Sequence, residues 1–516
     1  MANTAFNTYT NEHGGRVLLL LLLFLLAIYQ FIHAGFNGYA VICLSPLLVL
    51  VAIIAFRHKL LVFWSLNIIN VCLLNMNIHL PGPVSLYNES LELLLIALAL
   101  IDVKDCHFER TGNTMLLAIM VWCGYCTLQV FNDTCNLGMD VGAWYTGARL
   151  MAFQLLYIFL VFSLYISKPE ILVKYLYLWG AIALFAAFWV WKQKNIGLTD
   201  VENGFLQGRG RHTHVLYGGS LIRYFSIYSD AASFGIGIAS TAVAFIIFGI
   251  TAKIKKLKIF FLLVGAAATW AMFPSGTRTA MACMIAGFLV YIFLSQSFKI
   301  AIPFTILFAF IVFILAFTTI GNNNQSIRRM RSTFDRNDAS ANTRSINQET
   351  MRKYMKEAPF GIGVAQGYGS VPANNKYALM STIPADSEYV YIWLRTGVVG
   401  ITTFLICTAI MLLGACWIVF FVLKSPSLRG IGAGFCCAFV SMQLGGYGNQ
   451  VLLQFPNGLQ FYGGLTIVYI LPFFEQEWIA YEDKLLAKQE EKRRLRLERI
   501  EKMRVKPWYY WIYKYL

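Results

Sequence analysis

The stretch VLLLLLLFLLAIYQF, Val17 to Phe31, decides what kind of fold this chain can have. It is apolar throughout and lacks the alternating polar positions of a transmembrane barrel strand. Inside a bilayer only helices and closed barrels satisfy their own backbone hydrogen bonds, so such a run predicts a membrane-spanning helix. The rest of the chain repeats the pattern. Of 516 residues, 58% are hydrophobic and only 13% charged, about half the charged fraction of ordinary soluble domains. Mean hydropathy is +0.59.

Apolar segments of spanning length predict an all-α, polytopic membrane bundle of about fourteen helices. They lie near 17–32, 39–56, 60–79, 89–103, 114–131, 149–166, 171–191, 232–250, 257–273, 279–295, 299–319, 392–422, 430–447 and 457–474. With Arg16 on the cytoplasmic side, the short basic turns Arg57/Lys59, Lys104/Arg110, Lys253 to Lys258, Lys299 and Lys424/Arg429 also fall inside. Both termini are then cytoplasmic, and the first span reads as an uncleaved signal anchor. Two longer segments go outside. The expected organisation is 1–320, eleven helices with an external loop at about 192–231; 321–390, a large external loop; 391–475, three more helices; and 476–516, a basic tail.

The net charge of +16 is partly a property of that tail, where Gln476 to Leu516 carries eleven Lys/Arg against seven Asp/Glu. Its mixed-sign helix, Glu482 to Arg504, leads to the aromatic run Trp508 to Tyr515, which suits a solvated helix with Trp and Tyr at the bilayer interface. Acids interrupt the basic run, so no nucleic-acid partner is expected.

Several motifs point to chemistry that their context denies. Trp122-Cys123-Gly124-Tyr125-Cys126 has dithiol spacing but sits inside an apolar run, where cysteine serves as a small hydrophobe. Gly361-Ile362-Gly363 is too short for a dinucleotide fingerprint and reads as a turn. Zinc spacing, a phosphate-binding glycine loop and an Asp-x-Asp pair are missing, so no metal site and no cofactor are expected. All seven histidines lie at or before His214. His212 and His214, beside Arg209 and Arg211, read as solvated loop residues.

The informative charges stand near the outward ends of predicted spans: Arg223 and Asp230, then Arg278, then Asp386, Glu388 and Arg395. The loop from Gly321 to Val390 opens with Arg328, Arg329, Arg331, Arg336 and Arg344. Rim charges are costly in lipid and tend to face wet cavities. Several arginines with one or two carboxylates suit transfer of a group off a polyprenyl diphosphate. Guanidinium groups grip phosphate oxygens and offset the charge of the leaving diphosphate, and a carboxylate can deprotonate an incoming sugar hydroxyl.

Three stretches carry a resemblance to the bacterial O-antigen ligase and polymerase superfamily. Ser275-Gly276-Thr277-Arg278-Thr279-Ala280 resembles the family's Ser-Gly-Ser/Thr-Arg-Thr/Ser-Ala signature. Arg344 followed by Glu357-Ala358-Pro359-Phe360-Gly361-Ile362-Gly363 resembles its large-loop segment. Asp386-Ser387-Glu388-Tyr389-Val390 through Thr396-Gly397-Val398-Val399-Gly400 is similar to its loop exit, with Asp386-Ser387 where the family commonly has His-Asn. Arg223 to Asp230 is a looser fourth match, and the likeness runs from about Arg223 to Pro472.

The resemblance implies inverting glycosyl transfer in the bacterial inner membrane, without metal or ATP, at a cavity under a periplasmic loop. Arg278 and Arg344 would hold the diphosphate, with Arg223 next and Arg328, Arg329 and Arg331 assisting; Asp386 would take the acceptor proton. Asp230, Glu388 and Arg395 would complete the substrate site. The partners implied are a polyprenyl-diphosphate-linked glycan, a glycan or core-lipid acceptor and the bilayer, with room for a chain-length regulator. A glycan polymerase leads, ahead of a ligase acting on lipid A core. A lipid-linked sugar transporter ranks lower, because no internal repeat is present.

Overall fold

The computed structural model describes residues 14–15, scattered positions between 18 and 32, 53–72, 84–104, 106–208, 210–216, 221–295, scattered positions between 302 and 320, 339–383 and 387–504. Residues 1–65 and 66–516 are separate compact units. In the first, the described residues are almost entirely helical.

In chain order the main helices are α1 (Lys59–Cys72), α2 (Val84–Ile101), α3 (Thr114–Phe131), α4 (Val141–Tyr165), α5 (Pro169–Asn195), α6 (Asp200–Gln207) and α7 (Ala231–Thr251). They continue with α8 (Lys255–Ser275), α9 (Arg278–Leu294), α10 (Ala339–Met355), α11 (Glu388–Val422), α12 (Pro426–Gly448), α13 (Asn457–Ile470) and α14 (Glu475–Arg504). Among the described residues, α3, α4, α5, α7, α8, α11 and α12 are long and apolar enough to cross a membrane, and α1 and α9 contribute shorter apolar stretches. The seven long helices match seven of the expected spans, except that α4 begins at Val141 where the apolar run predicts a start near 149. The expected spans at 39–56 and 299–319 fall mostly outside the described residues, as does 321–338. The described strands are β1 (Val215–Leu216) and β2 (Leu221–Ile222), an antiparallel pair with Val215 opposite Ile222.

Local chemistry sets the helix starts. Asn113 caps α3 by accepting from the N–H groups of Met115 and Leu116, and Asp140 caps α4 through Ala143. Thr199 and Glu202 form a reciprocal capping box on α6. Pro169 and Pro426 occupy first helical positions, where a missing N–H costs nothing.

Helix α7 is buried on almost every side, and small residues let its neighbours approach. Gly249 backs onto Leu262 of α8, and Gly265 of α8 backs onto Ile246. On α12, Gly430 faces Thr251 and Gly434 faces Phe248. In lipid such close packing replaces the hydrophobic effect as the source of helix association. Trp179 of α5 fills the centre, stacked on Phe435 and edge-on to Phe245 and Phe461.

Hydrogen bonds sort the turns between two ends of the helices. At one end Lys253 pairs with buried Glu482 at 2.8 Å, Glu475 accepts from the N–H groups of Lys424 and Ser425, and Arg110 bonds the carbonyl of Ser167. The basic turns at Lys253, Lys424 and Arg110 therefore share an end with the start of α14. At the opposite end, the segments Thr199 to Asp230, Ser275 to Arg278, Glu357 to Ser387 and Asn449 to Pro456 come together.

Candidate functional site

The site begins at the N-terminus of α7. Asp230 Oδ1 accepts from the N–H groups of Ala232 at 2.7 Å and Ser233 at 2.9 Å, a common use of an aspartate at a helix start. The N–H of Ala231 is taken by His214 Nε2 at 3.0 Å, while His214 Nδ1 lies 3.1 Å from the carbonyl of Gly210. These partners require the proton on Nδ1 and leave Nε2 as acceptor. Burial, and then the Arg223 guanidinium, lower the basicity of this ring. His214 is thus a buried cap and not the solvated loop residue its neighbours suggested; His212 is exposed.

Arg223 braces the same corner. Its guanidinium donates to the carbonyls of Ser275 (3.2 Å) and Thr213 (2.9 Å) and to Thr277 Oγ1 (3.0 Å). Thr277 Oγ1 in turn donates to the carbonyl of Ala231 at 2.8 Å. Gly276, at φ 57°, supplies the left-handed residue that turns the chain from α8 into α9. Small residues fit this turn tightly, with Gly235 behind Ser275 and Thr277 and Gly448 behind Thr279. Arg278 follows as the first residue of α9, half-buried.

The large loop ends in an interlock with α11. At Gly397, φ 72° and ψ −172° break the helix. A straight helix would bond the carbonyls of Leu394, Arg395 and Thr396 to N–H groups four residues on. Here Ile362 N–H donates to Leu394 at 3.0 Å, Gly363 N–H to Arg395 at 3.0 Å, and Tyr125 OH to Thr396 at 2.6 Å. The exchange is returned, because Val399 N–H donates to the carbonyl of Pro359 at 3.2 Å. A side chain at Gly361 or Gly397 would strike the facing backbone. Behind the turn, Met351, Met355, Ile362, Val371, Tyr377, Met380 and Leu394 form the loop's own apolar core.

Between these parts lies a cavity of about 400 Å³ lined by the polar residues Ser229, Asp230, Glu388, Tyr391, Gln450 and Gln454 and the apolar residues Leu150, Met151, Leu453 and Phe455. Glu388 is 3% exposed, and its Oε2 accepts from the N–H of Leu452 at 3.1 Å. Ser387, just before it, donates to the carbonyl of Gly446 at 3.1 Å. Two carboxylates from helix starts more than 150 residues apart in the chain thus face one amphipathic space.

Residues 260–405 match the family model described as O-Antigen ligase. That segment supports the resemblance to the O-antigen ligase and polymerase superfamily that the sequence motifs carry. No curated protein matches the chain. The match supports a general glycan polymerase or ligase role, of glycosyltransferase type, in a membrane protein. The matched ligase-family segment contains both the Ser275–Ala280 turn and the interlock at Gly397. Asp230, His214 and the Asn449–Pro456 segment lie beyond it.

Of the residues expected in a ligase-family site, Asp230 and Glu388 line the cavity together. Arg223 and Arg278 occupy the corner behind Asp230. Arg395 lies beside a second cavity, with its guanidinium 4.9 Å from the Tyr391 ring. Arg344 is in α10, its side chain outside the description. Arg328, Arg329, Arg331, Arg336 and Asp386 lie outside the described residues.

Sequence reasoning missed a polar cluster beside Leu150 and Met151 of the cavity wall. Arg149 Nη1 pairs with Glu89 at 2.9 Å, both side chains at most 4% exposed. Gln154 donates to Glu92, which also accepts from Asn88. Arg149 to Phe153 form a π turn in α4, and Leu150 and Met151 of that turn face the cavity. Trp122 Nε1 donates to the carbonyl of Met151 at 3.0 Å, and Cys123 Sγ to that of Ala152 at 3.5 Å. The dithiol-like motif therefore serves helix packing, as its apolar context indicates. Charged residues inside apolar helices were the available signal, hidden because Glu89 and Arg149 each coincided with the start of a predicted span.

Proposed function

We propose that this protein is an inverting glycosyltransferase that polymerises polyprenyl-diphosphate-linked oligosaccharide units, for O-antigen, capsule or exopolysaccharide, in the bacterial inner membrane. The observation that carries this reading is the amphipathic cavity lined by Asp230, Glu388, Gln450 and Gln454, next to the Ser275–Arg278 turn of the matched segment. Its apolar lining suits an isoprenoid chain and its carboxylates suit sugar hydroxyls. The cavity end faces away from the cytoplasm, with both termini on the cytoplasmic side.

In this reaction the acceptor hydroxyl oxygen attacks the anomeric carbon of the donor, and the bond from that carbon to the diphosphate oxygen breaks. Asp386 takes the hydroxyl proton, while Glu388 and Asp230 orient the acceptor. Arg278 and Arg344, then Arg223, receive the negative charge of the leaving diphosphate, with Arg328, Arg329 and Arg331 adding electrostatic support. The leaving group supplies the driving force, so neither metal nor ATP is required.

Transfer to lipid A core is the alternative, favoured by the ligase description of the family model. Purified protein given lipid-linked repeat units and no nucleotide should produce a ladder; a single shift only when core lipid is added means a ligase. Arg278→Ala and Arg344→Ala should each abolish transfer in a folded protein, and Asp386→Asn should lower kcat more than donor binding. Full activity in both arginine variants would remove the diphosphate site.

A further inference from the structure

A second cavity, about 270 Å³, adjoins the first and shares Tyr391 and Gln450 with it. The two differ in charge. Asp230 and Glu388 line the first, whereas Arg395 is the charged group lining the second. The remaining walls come from the large loop, through Ile362, Gly367, Tyr368, Ser381 and Ile383, and from Leu394 of α11. Tyr368 is 74% exposed. Its turn is pinned from behind, because Gly369, at φ 68°, donates its N–H to the carbonyl of Ser381 at 2.9 Å.

We propose that this second cavity is a saccharide subsite, holding the stretch of glycan next to the sugar at the carboxylate cavity. The proposal rests on the glycan-transfer reading above. A sugar ring presents apolar C–H faces and hydroxyl edges, so it suits a pocket with an exposed aromatic face and a few fixed polar groups. Tyr368 and Tyr391 supply the faces; Ser381, Gln450 and Arg395 supply the polar edge. A diphosphate fits poorly, since it calls for several free guanidinium donors. Among the described lining residues Arg395 is the one cation; it lies over the Tyr391 ring and donates Nη1 to the carbonyl of Val364 at 3.3 Å. An isoprenoid tail would find apolar wall at Ile362, Ile383 and Leu394 but would leave Ser381, Gln450 and Arg395 without polar partners, whereas a sugar uses both. Sharing Tyr391 and Gln450 makes the two spaces one path, as a growing chain requires.

The test uses full-length protein in detergent and the oligosaccharide released by mild acid from the producing cells' own polysaccharide. Binding is read by saturation-transfer NMR and titration, separately from transfer. Wild type should bind, Tyr368→Ala should bind about three- to tenfold more weakly, and Tyr368→Trp should restore affinity. Trp417→Ala, a control at an exposed aromatic on α11 remote from this cavity, should bind as wild type does. With lipid-linked units, Tyr368→Ala should also shorten the products. Equal affinity in wild type and Tyr368→Ala, or no binding by wild type, overturns the subsite. Tyr368-dependent binding in a protein that transfers nothing would remove the transfer reading and leave the subsite standing.

Discussion

Two membrane helices on the cavity wall are irregular, and they are held in opposite ways. In α11 the helix is broken at Gly397, and backbone groups of the Pro359–Gly363 turn take over most of the lost hydrogen bonds, with the Tyr125 hydroxyl on the Thr396 carbonyl. In α4 the helix is widened by a π turn at Arg149–Phe153 and held by side chains: the Glu89–Arg149 pair, the Glu92–Gln154 bond and the Trp122 indole. In a regular helix Arg149 and Gln154, five residues apart, would diverge by about 140°. The extra residue of a π turn brings them to one side, where Glu89 and Glu92, three apart on α2, meet both. The break in α11 ties the cavity to the loop; the bulge in α4 shapes it from within the membrane.

Removing one half of the buried ion pair should have the largest effect. Arg149→Met strands Glu89 without its cation, which costs about 3–5 kcal/mol, and the unfolding midpoint in detergent should fall steeply. Adding Glu89→Leu should recover most of that loss, because two apolar residues replace a buried pair at little cost. The recovered double variant then sharpens the comparison. A stable but slow enzyme would mean that the bulge positions Leu150 and Met151 for transfer; a stable enzyme of normal rate would reduce it to packing.

Gly397→Ala ranks next. Its backbone conformation is essentially confined to glycine, which implies strain of about 1–3 kcal/mol, and the new methyl would press on the carbonyl of Pro359. Limited proteolysis should cut the 357–364 turn faster, and transfer should fall more than the unfolding midpoint does. Loss of stability with the turn still protected would break the idea that this helix break belongs to the loop.

The two irregularities were not equally legible. Thr396-Gly397-Val398-Val399-Gly400 and Pro359-Phe360-Gly361-Ile362-Gly363 stand out because glycine is the residue for left-handed or closely approached backbone, so both segments drew attention from sequence, though not as partners. Pairing them needs a contact more than thirty residues distant. The apolar runs located the seven long helices to within a few residues, apart from the start of α4, and the charges at span ends led to Asp230 and Glu388. A π turn has no residue signature of its own, and Arg149 looked like the boundary of a helix that in fact starts at Val141. His214 was misread for a related reason: burial by a folded corner cannot be seen from a neighbourhood of arginines and glycines.

Trp122→Phe should come third, leaving the Met151 carbonyl in the membrane without its indole donor at a cost of about 1–3 kcal/mol. A lowered unfolding midpoint that recovers when the π turn is straightened by deletion of one of its residues would tie Trp122 to the bulge.

The smallest effect belongs to the two thiols beside it. Cys123 and Cys126 are 5% and 0% exposed, and a thiol is a weak donor, so the Cys123–Ala152 bond adds little to what Trp122 already provides. Cys123→Ala with Cys126→Ala should therefore cost about 1 kcal/mol or less for lost packing and keep its transfer rate. Assaying that variant and wild type with and without dithiothreitol completes the comparison between side-chain and backbone support. If reductant changes the rate of wild type but not of the variant, the pair is a redox element and the bulge answers to thiol chemistry; matching rates leave Trp122, Glu89 and Glu92 as what holds α4 open.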